Sequence, residues 1–332
     1  MARADLILNL VKAGIRGDRA QFQKTVEALA ADERSKNHGV LADRLIAYLR
    51  QDNGFSGLQM LSHSHPASGP LLTESVPRKR LEDLILPLEV ERAVTELVEE
   101  QNRADLLRSH GLEPRHRVLL VGPPGNGKTS LAEAIAEALS APLLAVRYEG
   151  VIGSYLGETA QRIAQVFEHA RSRQCVLFFD EFDAIGKERG DVHETGEIKR
   201  VVSSLLLQID GLPSYVVVVT ASNHPELLDR AVWRRFELRL ELPAPGEKEI
   251  EEWFRRFEGR TGLVLGTSHR SLARGLRGAS FSEIEGFGMD VLRRIVLSGP
   301  GADTKDIVEQ RLAQWKKRYR MKKSDCVEEA TK

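Results

Sequence analysis

A chain of 332 residues has room for one large α/β domain with smaller attachments. Its 48 basic and 48 acidic residues cancel, which argues against the strong field of a general nucleic-acid binder and against an acidic tail. There are two cysteines, no signal-peptide core and no apolar run of the roughly 18–20 residues that a membrane helix needs, so the expectation is a cytoplasmic protein with no membrane partner.

In chain order, residues 1–52 read as an N-terminal helical bundle with three apolar stripes, Leu6/Ile7/Leu10/Val11, Phe22/Val26/Leu29 and Val40/Leu41/Leu45/Ile46/Leu49. It carries no catalytic constellation and would serve assembly, or a client or adaptor. Residues 53–79 are rich in Gly, Ser and Pro and read as a linker, with His63 and His65 solvated in it. An α/β domain is expected over 80–245. It opens with a helix carrying Leu88, Val90, Val94 and Leu97 that leads to Leu106-Leu107 and closes at Gly111.

Arg117–Val121 then reads as a buried strand that runs into Gly122-Pro123-Pro124-Gly125-Asn126-Gly127-Lys128-Thr129, a G-x-x-x-x-G-K-T loop. From Ser130 the spacing becomes helical. Strand, loop and helix in this order form a phosphate cradle, because the glycines let successive amides turn inward and the helix start adds its positive end. Residues 122–130 are therefore the candidate nucleotide-binding residues, holding its polyphosphate. Lys128 would reach the β- and γ-phosphates, and the Thr129 hydroxyl would bind Mg²⁺.

Pro142–Val146 reads as a second strand and residues 158–171 as a helix, with Gly153-Ser154-Tyr155-Leu156-Gly157 between them. Gln174–Phe179 is an apolar strand that ends in Asp180-Glu181, at the edge where parallel sheets bind ligands. Asp180 would hold the Mg²⁺ shell, and Glu181 would orient and deprotonate the attacking water. Val216–Thr220 is a third strand, followed by Asn223, which is placed to bond the γ-phosphate or the water. After Leu238–Leu242, residues 246–312 read as a small helical lid and 313–332 as a basic C-terminal helix or tail.

Taken together, these motifs resemble the AAA ATPases, most closely the single-ring branch that contains katanin, spastin and their bacterial relatives. The similarity covers roughly residues 80–300. Gly122–Thr129 looks like Walker A and Phe178–Gly186 like Walker B. Asn223 matches the sensor-1 position, and Arg234 and Arg235 match the paired arginine fingers. Tyr155-Leu156-Gly157-Glu158 resembles the pore loop that grips substrate, and Glu188–Gly196 a second pore loop. The resemblance implies a three-layer αβα phosphate-loop core with a helical lid, ATP and Mg²⁺ as ligands, and a hexamer in which a neighbour's arginines complete each site. It implies ATP hydrolysis that drives a protein substrate through a central pore. The chain departs from the family in having Trp233-Arg234-Arg235 where many relatives have Arg-Pro-Gly-Arg, which leaves open which arginine serves. The lid segment Gly278–Glu285 lacks the family's Gly-Ala-Asp, and no sensor-2 arginine is found. With no H-E-x-x-H or G-x-S-x-G, no protease is expected within the ring itself. The N-terminal helices and short lid also look like small bacterial AAA proteins that accompany a separate subtilisin-like protease. Two rival readings are a nucleic-acid remodeller working through Lys316–Lys323 and an ATP-dependent regulatory switch.

Overall fold

The computed structural model describes residues 19–35, 71–146, 156–183, 204–299 and 303–329. The elements up to the phosphate loop are α1 (Arg19–Ser35), β1 (Leu72–Ser75), α2 (Leu88–Asn102), α3 (Ala104–Ser109) and β2 (Arg117–Val121). There follow α4 (Lys128–Ala138), β3 (Leu143–Val146), α5 (Leu156–Arg171), β4 (Cys175–Phe179), the helical stretch α6 (204–210) and β5 (Val216–Ser222). The chain continues through α7 (Arg230–Trp233), β6 (Leu238–Glu241), α8 (Glu247–Thr261), α9 (His269–Gly275), α10 (Phe281–Ser298) and α11 (Thr304–Glu329).

Six strands form one sheet in the order β1-β3-β4-β5-β2-β6, parallel except for β1, which pairs antiparallel with β3. The valine, leucine and phenylalanine runs of β4 and β5 are buried along their whole length, as strands covered on both faces must be. Alternate side chains feed two separate cores. Leu119, Leu177, Phe179 and Val218 pack with Ile163, Val166 and Phe167 of α5 and with Leu205 and Ile209 of α6. Val118, Leu120, Val176, Phe178 and Val217 pack with Val90, Val94 and Leu97 of α2 and with Leu131 and Ile135 of α4. The result is the expected three-layer αβα phosphate-loop fold. A third core, around Ile250, Phe254, Leu272, Ile284, Phe287, Val291 and Val308, belongs to helices α8–α11.

One aromatic chain in the first core bears on the site. Phe167 stacks on Phe179 with ring centroids 6.0 Å apart, and Phe179 meets Phe182 edge-on at 6.2 Å. Phe182 meets Phe236 edge-on, also at 6.2 Å. Cys175, at the start of β4, is buried. Loss of hydration pushes its thiol pKa up to about 12, so it packs as a small apolar side chain.

Several elements differ from the sequence reading. The stretch read as linker contains β1, whose single inward residue, Leu72, leaves no alternating pattern to detect. Leu88, Val90, Val94 and Leu97 all lie on α2 as expected, but Leu88, its first residue, is exposed while the other three are buried. Helix α11 runs unbroken through position 312, so the lid's last helix and the basic segment are one element. Of the N-terminal bundle, only α1 lies within the described residues, with Val26 and Ala30 buried. Among the described residues no helix is long and apolar enough to cross a membrane.

Candidate functional site

Parallel register aligns Val121 with Ser222 and Phe179 with Thr220, so the loops after β2, β4 and β5 leave the sheet along one edge. The chain crosses from β2 to β3 on one side and returns to β6 on the other. The loop after β2 therefore lies at the crevice where open α/β sheets take ligands.

Gly122, Gly125 and Gly127 have φ values of 138°, 76° and 90°. At Gly122 a Cβ would lie 2.2 Å from the Leu242 carbonyl oxygen, so the loop can leave β2 only through glycine. Gly122→Ala combines a clash with a disfavoured φ, and we expect it to lower the melting temperature by at least about 5 °C. It should also abolish nucleotide binding, which a thermal melt and an ADP titration would check together.

The Leu131 amide makes the first bond along α4, to the Gly127 carbonyl at 2.8 Å, so the amides of Lys128, Thr129 and Ser130 face out of the helix start. The buried Lys128 ammonium donates to the carbonyls of Gly122 at 2.7 Å and Pro123 at 3.0 Å. Burial lowers its pKa from the usual lysine value, and the Asp180 and Asp183 carboxylates oppose that shift. The Asn126 side chain spans the loop, donating to the Pro123 carbonyl at 3.4 Å and accepting from the Phe281 amide at 3.3 Å. The start of α10 is tied to the loop a second time by the Ser282 amide, which donates to the Gly125 carbonyl at 2.9 Å.

Across the crevice, the Thr129 hydroxyl donates to Asp180 Oδ2 at 3.1 Å, which brings both expected metal-binding oxygens together. The next residue, Glu181, is exposed and held at φ 47°, with its amide donating to Asp180 Oδ1 at 2.9 Å. A non-glycine residue in this conformation is strained, and such strain concentrates where a side chain must be aimed. Asp183 is buried and accepts from the Ser222 hydroxyl at 2.8 Å and the Asn223 amide at 3.1 Å, fixing the end of β5. Asn223 Oδ1 is buried and has no partner among the described residues. A cradle of outward amides, an ammonium beside it, a hydroxyl–carboxylate pair and an orphaned amide oxygen together fit a nucleoside triphosphate with a divalent cation.

The arginines lie elsewhere. Arg235 pairs with Asp210, which also takes Arg117 at 3.1 Å, while Arg117 pairs with Glu237 at 2.6 Å. Burial raises the Glu237 pKa, but hydrogen bonds from the His116 amide and Arg117 outweigh it and hold the carboxyl below its usual range. Arg117 opens β2 and the phosphate loop follows its last residue, so this cluster sits about 15 Å from the loop, at the opposite edge of the sheet. Arg234 is exposed, with no ion pair among the described residues. Tyr155 and Glu188–Gly196 lie outside the described residues, and Leu156 is known only as the first residue of α5. Sequence reasoning assigned no task to Asp183, although an acid set between Phe182 and Ala184-Ile185 was a usable sign of a buried, bonded carboxylate.

Comparison with known proteins agrees with this geometry. Residues 118–244 match the family model described as "ATPase family associated with various cellular activities (AAA)". Over 290 residues the chain is 37% identical to an AAA family ATPase of Sinorhizobium fredii designated y4kL, covering 86% of this chain and 87% of that protein. It is 30% identical over 252 residues to the cell division cycle protein 48 homolog of Archaeoglobus fulgidus, covering 73% of this chain and 34% of that one. Over 149 residues it is 41% identical to the 26S proteasome regulatory subunit S10B homolog B of Arabidopsis thaliana, covering 43% of this chain and 37% of that one.

Proposed function

Because the chain belongs to the AAA family and is an ATP hydrolase, we propose that it works as a hexameric ring that remodels or unfolds protein substrates in the cytoplasm. The observation that carries the chemistry is the meeting of Thr129 with Asp180 at 3.1 Å, beside the strained Glu181 and the unpartnered Asn223 oxygen. A bound Mg²⁺, held through the Thr129 and Asp180 oxygens, would offset charge on the β- and γ-phosphates. The chain's own residues do the rest. Lys128 exchanges its loop carbonyls for phosphate oxygens, Asn223 orients the attacking water, and Glu181 accepts its proton.

Arg235 is held in its cluster at the opposite edge of the sheet from its own phosphate loop, and Arg234 is exposed beside it, which supports delivery of an arginine to a neighbouring protomer. Arg234 is the better placed of the two, being exposed while Arg235 is engaged. A protein client is supported by the relatives, one of which is named a proteasome regulatory subunit. In this reading the core spans residues 80–245 with a lid from 246, and residues 1–52 select the client or adaptor. A separate protease would be a further partner. Tyr155 and Leu156 would grip the polypeptide in the pore. Tyr155→Ala should therefore keep most ATPase activity, within about threefold, and lose client unfolding. Loss of fluorescence from a tagged folded client, followed beside phosphate release, is the measurement, and unchanged unfolding would remove the threading step.

A further inference from the structure

A second lysine reaches the nucleotide cradle from outside the phosphate-loop motif. The segment between β1 and α2 crosses the outer face of α4. The amides of Arg78 and Lys79 both donate to Glu133 Oε1, at 3.0 and 3.4 Å, and Arg80 lies 3.9 Å from Glu137. This clasp sets the direction of the Lys79 side chain, whose ammonium donates to the Ser130 hydroxyl at 2.7 Å. Ser130 supplies the third of the outward amides at the start of α4. An anion that accepts from that amide therefore comes within reach of the Lys79 ammonium.

The geometry points to Lys79 as an α-phosphate ligand, the site's second cation, carried by the strap that leads from the N-terminal region. Lys128, bonded to the carbonyls of Gly122 and Pro123, serves the β/γ end of the loop. Lys79 serves the end that ADP and ATP share. Nucleotide then bridges the strap to the core, and the strap docks most firmly when the site is filled. This assignment rests on the phosphate-loop reading.

The test uses the full chain with MgADP, and with MgATP in a Glu181→Gln background that holds the triphosphate intact. Lys79→Gln should weaken both nucleotides by about the same factor, on the order of tenfold, because the α-phosphate is common to them. Lys79→Arg, which keeps the charge, should recover most of the affinity. Without nucleotide, Lys79→Gln should melt with the parent, and its stabilisation by ADP should be smaller. Unchanged affinity in Lys79→Gln would overturn the assignment. So would a loss confined to ATP, or a lowered nucleotide-free melting temperature with normal affinity. Lys128→Ala separates the two readings: if it too binds like the parent, the phosphate-loop site itself has been misplaced.

Discussion

Glu181→Gln should bind MgATP with near-parental affinity and hydrolyse it about 10²–10⁴-fold more slowly. The substitution keeps the size of the side chain and removes its ability to accept a proton. The residues that would hold the nucleotide are separate from it: Lys128 sits on the loop carbonyls, and Thr129 bonds Asp180. The backbone at position 181 is fixed by the amide's bond to Asp180 and by the buried Phe182 that follows, so an amide side chain inherits the same direction. Binding should therefore survive while chemistry stops. Phosphate release and nucleotide titration on the same preparation decide the matter. A rate within twofold of the parent would mean that another group activates the water.

Arg234→Ala and Lys128→Ala protomers should each be inactive alone and active when mixed. The arginine loss should cost about 10³-fold or more in rate, the scale of a trans-acting arginine. A Lys128→Ala protomer keeps its own Arg234 and can lend it. An Arg234→Ala protomer keeps its own cradle and can be completed. In a ring built from heterologous contacts, equal random mixing yields intact sites at roughly a quarter of the boundaries. Turnover should thus climb to a substantial fraction of the parental rate. Arg235 should behave differently, because its loss leaves Asp210 with Arg117 as its remaining partner in the cluster and removes the tie between α6 and the segment that leads from α7 into β6. No recovery in any mixture, combined with full activity of a dilute monomer, would exclude shared sites.

The phosphate loop, the acids after β4 and Asn223 were legible because each depends on local order. A glycine pattern between strand and helix, or carboxylates at the end of an apolar run, declares its geometry within a few residues. The sheet was readable for the same reason, since strands buried on both faces are written as continuous apolar runs. What escaped notice depends on distant partners. Leu72 looks like any linker leucine until β3 pairs beside it, and Asp210-Gly211 looks like a turn until Arg117 and Arg235 converge on it. Lys79 is a surface lysine in sequence, and only its clasp on Glu133 brings it to Ser130.

The edge-on contact between Phe182 and Phe236 joins the two ends of the proposed catalytic cycle. Phe182 directly follows the acid that would act on a protomer's own nucleotide, and Phe236 follows Arg235 and the exposed Arg234 that would be lent to the next. Close-packed rings yield little, so a backbone shift at Glu181 would be passed through them to the segment that carries Arg234 and Arg235. Firing at one station would swing the arm offered to its neighbour, and the order of events around the circle would be carried by this hinge-free linkage.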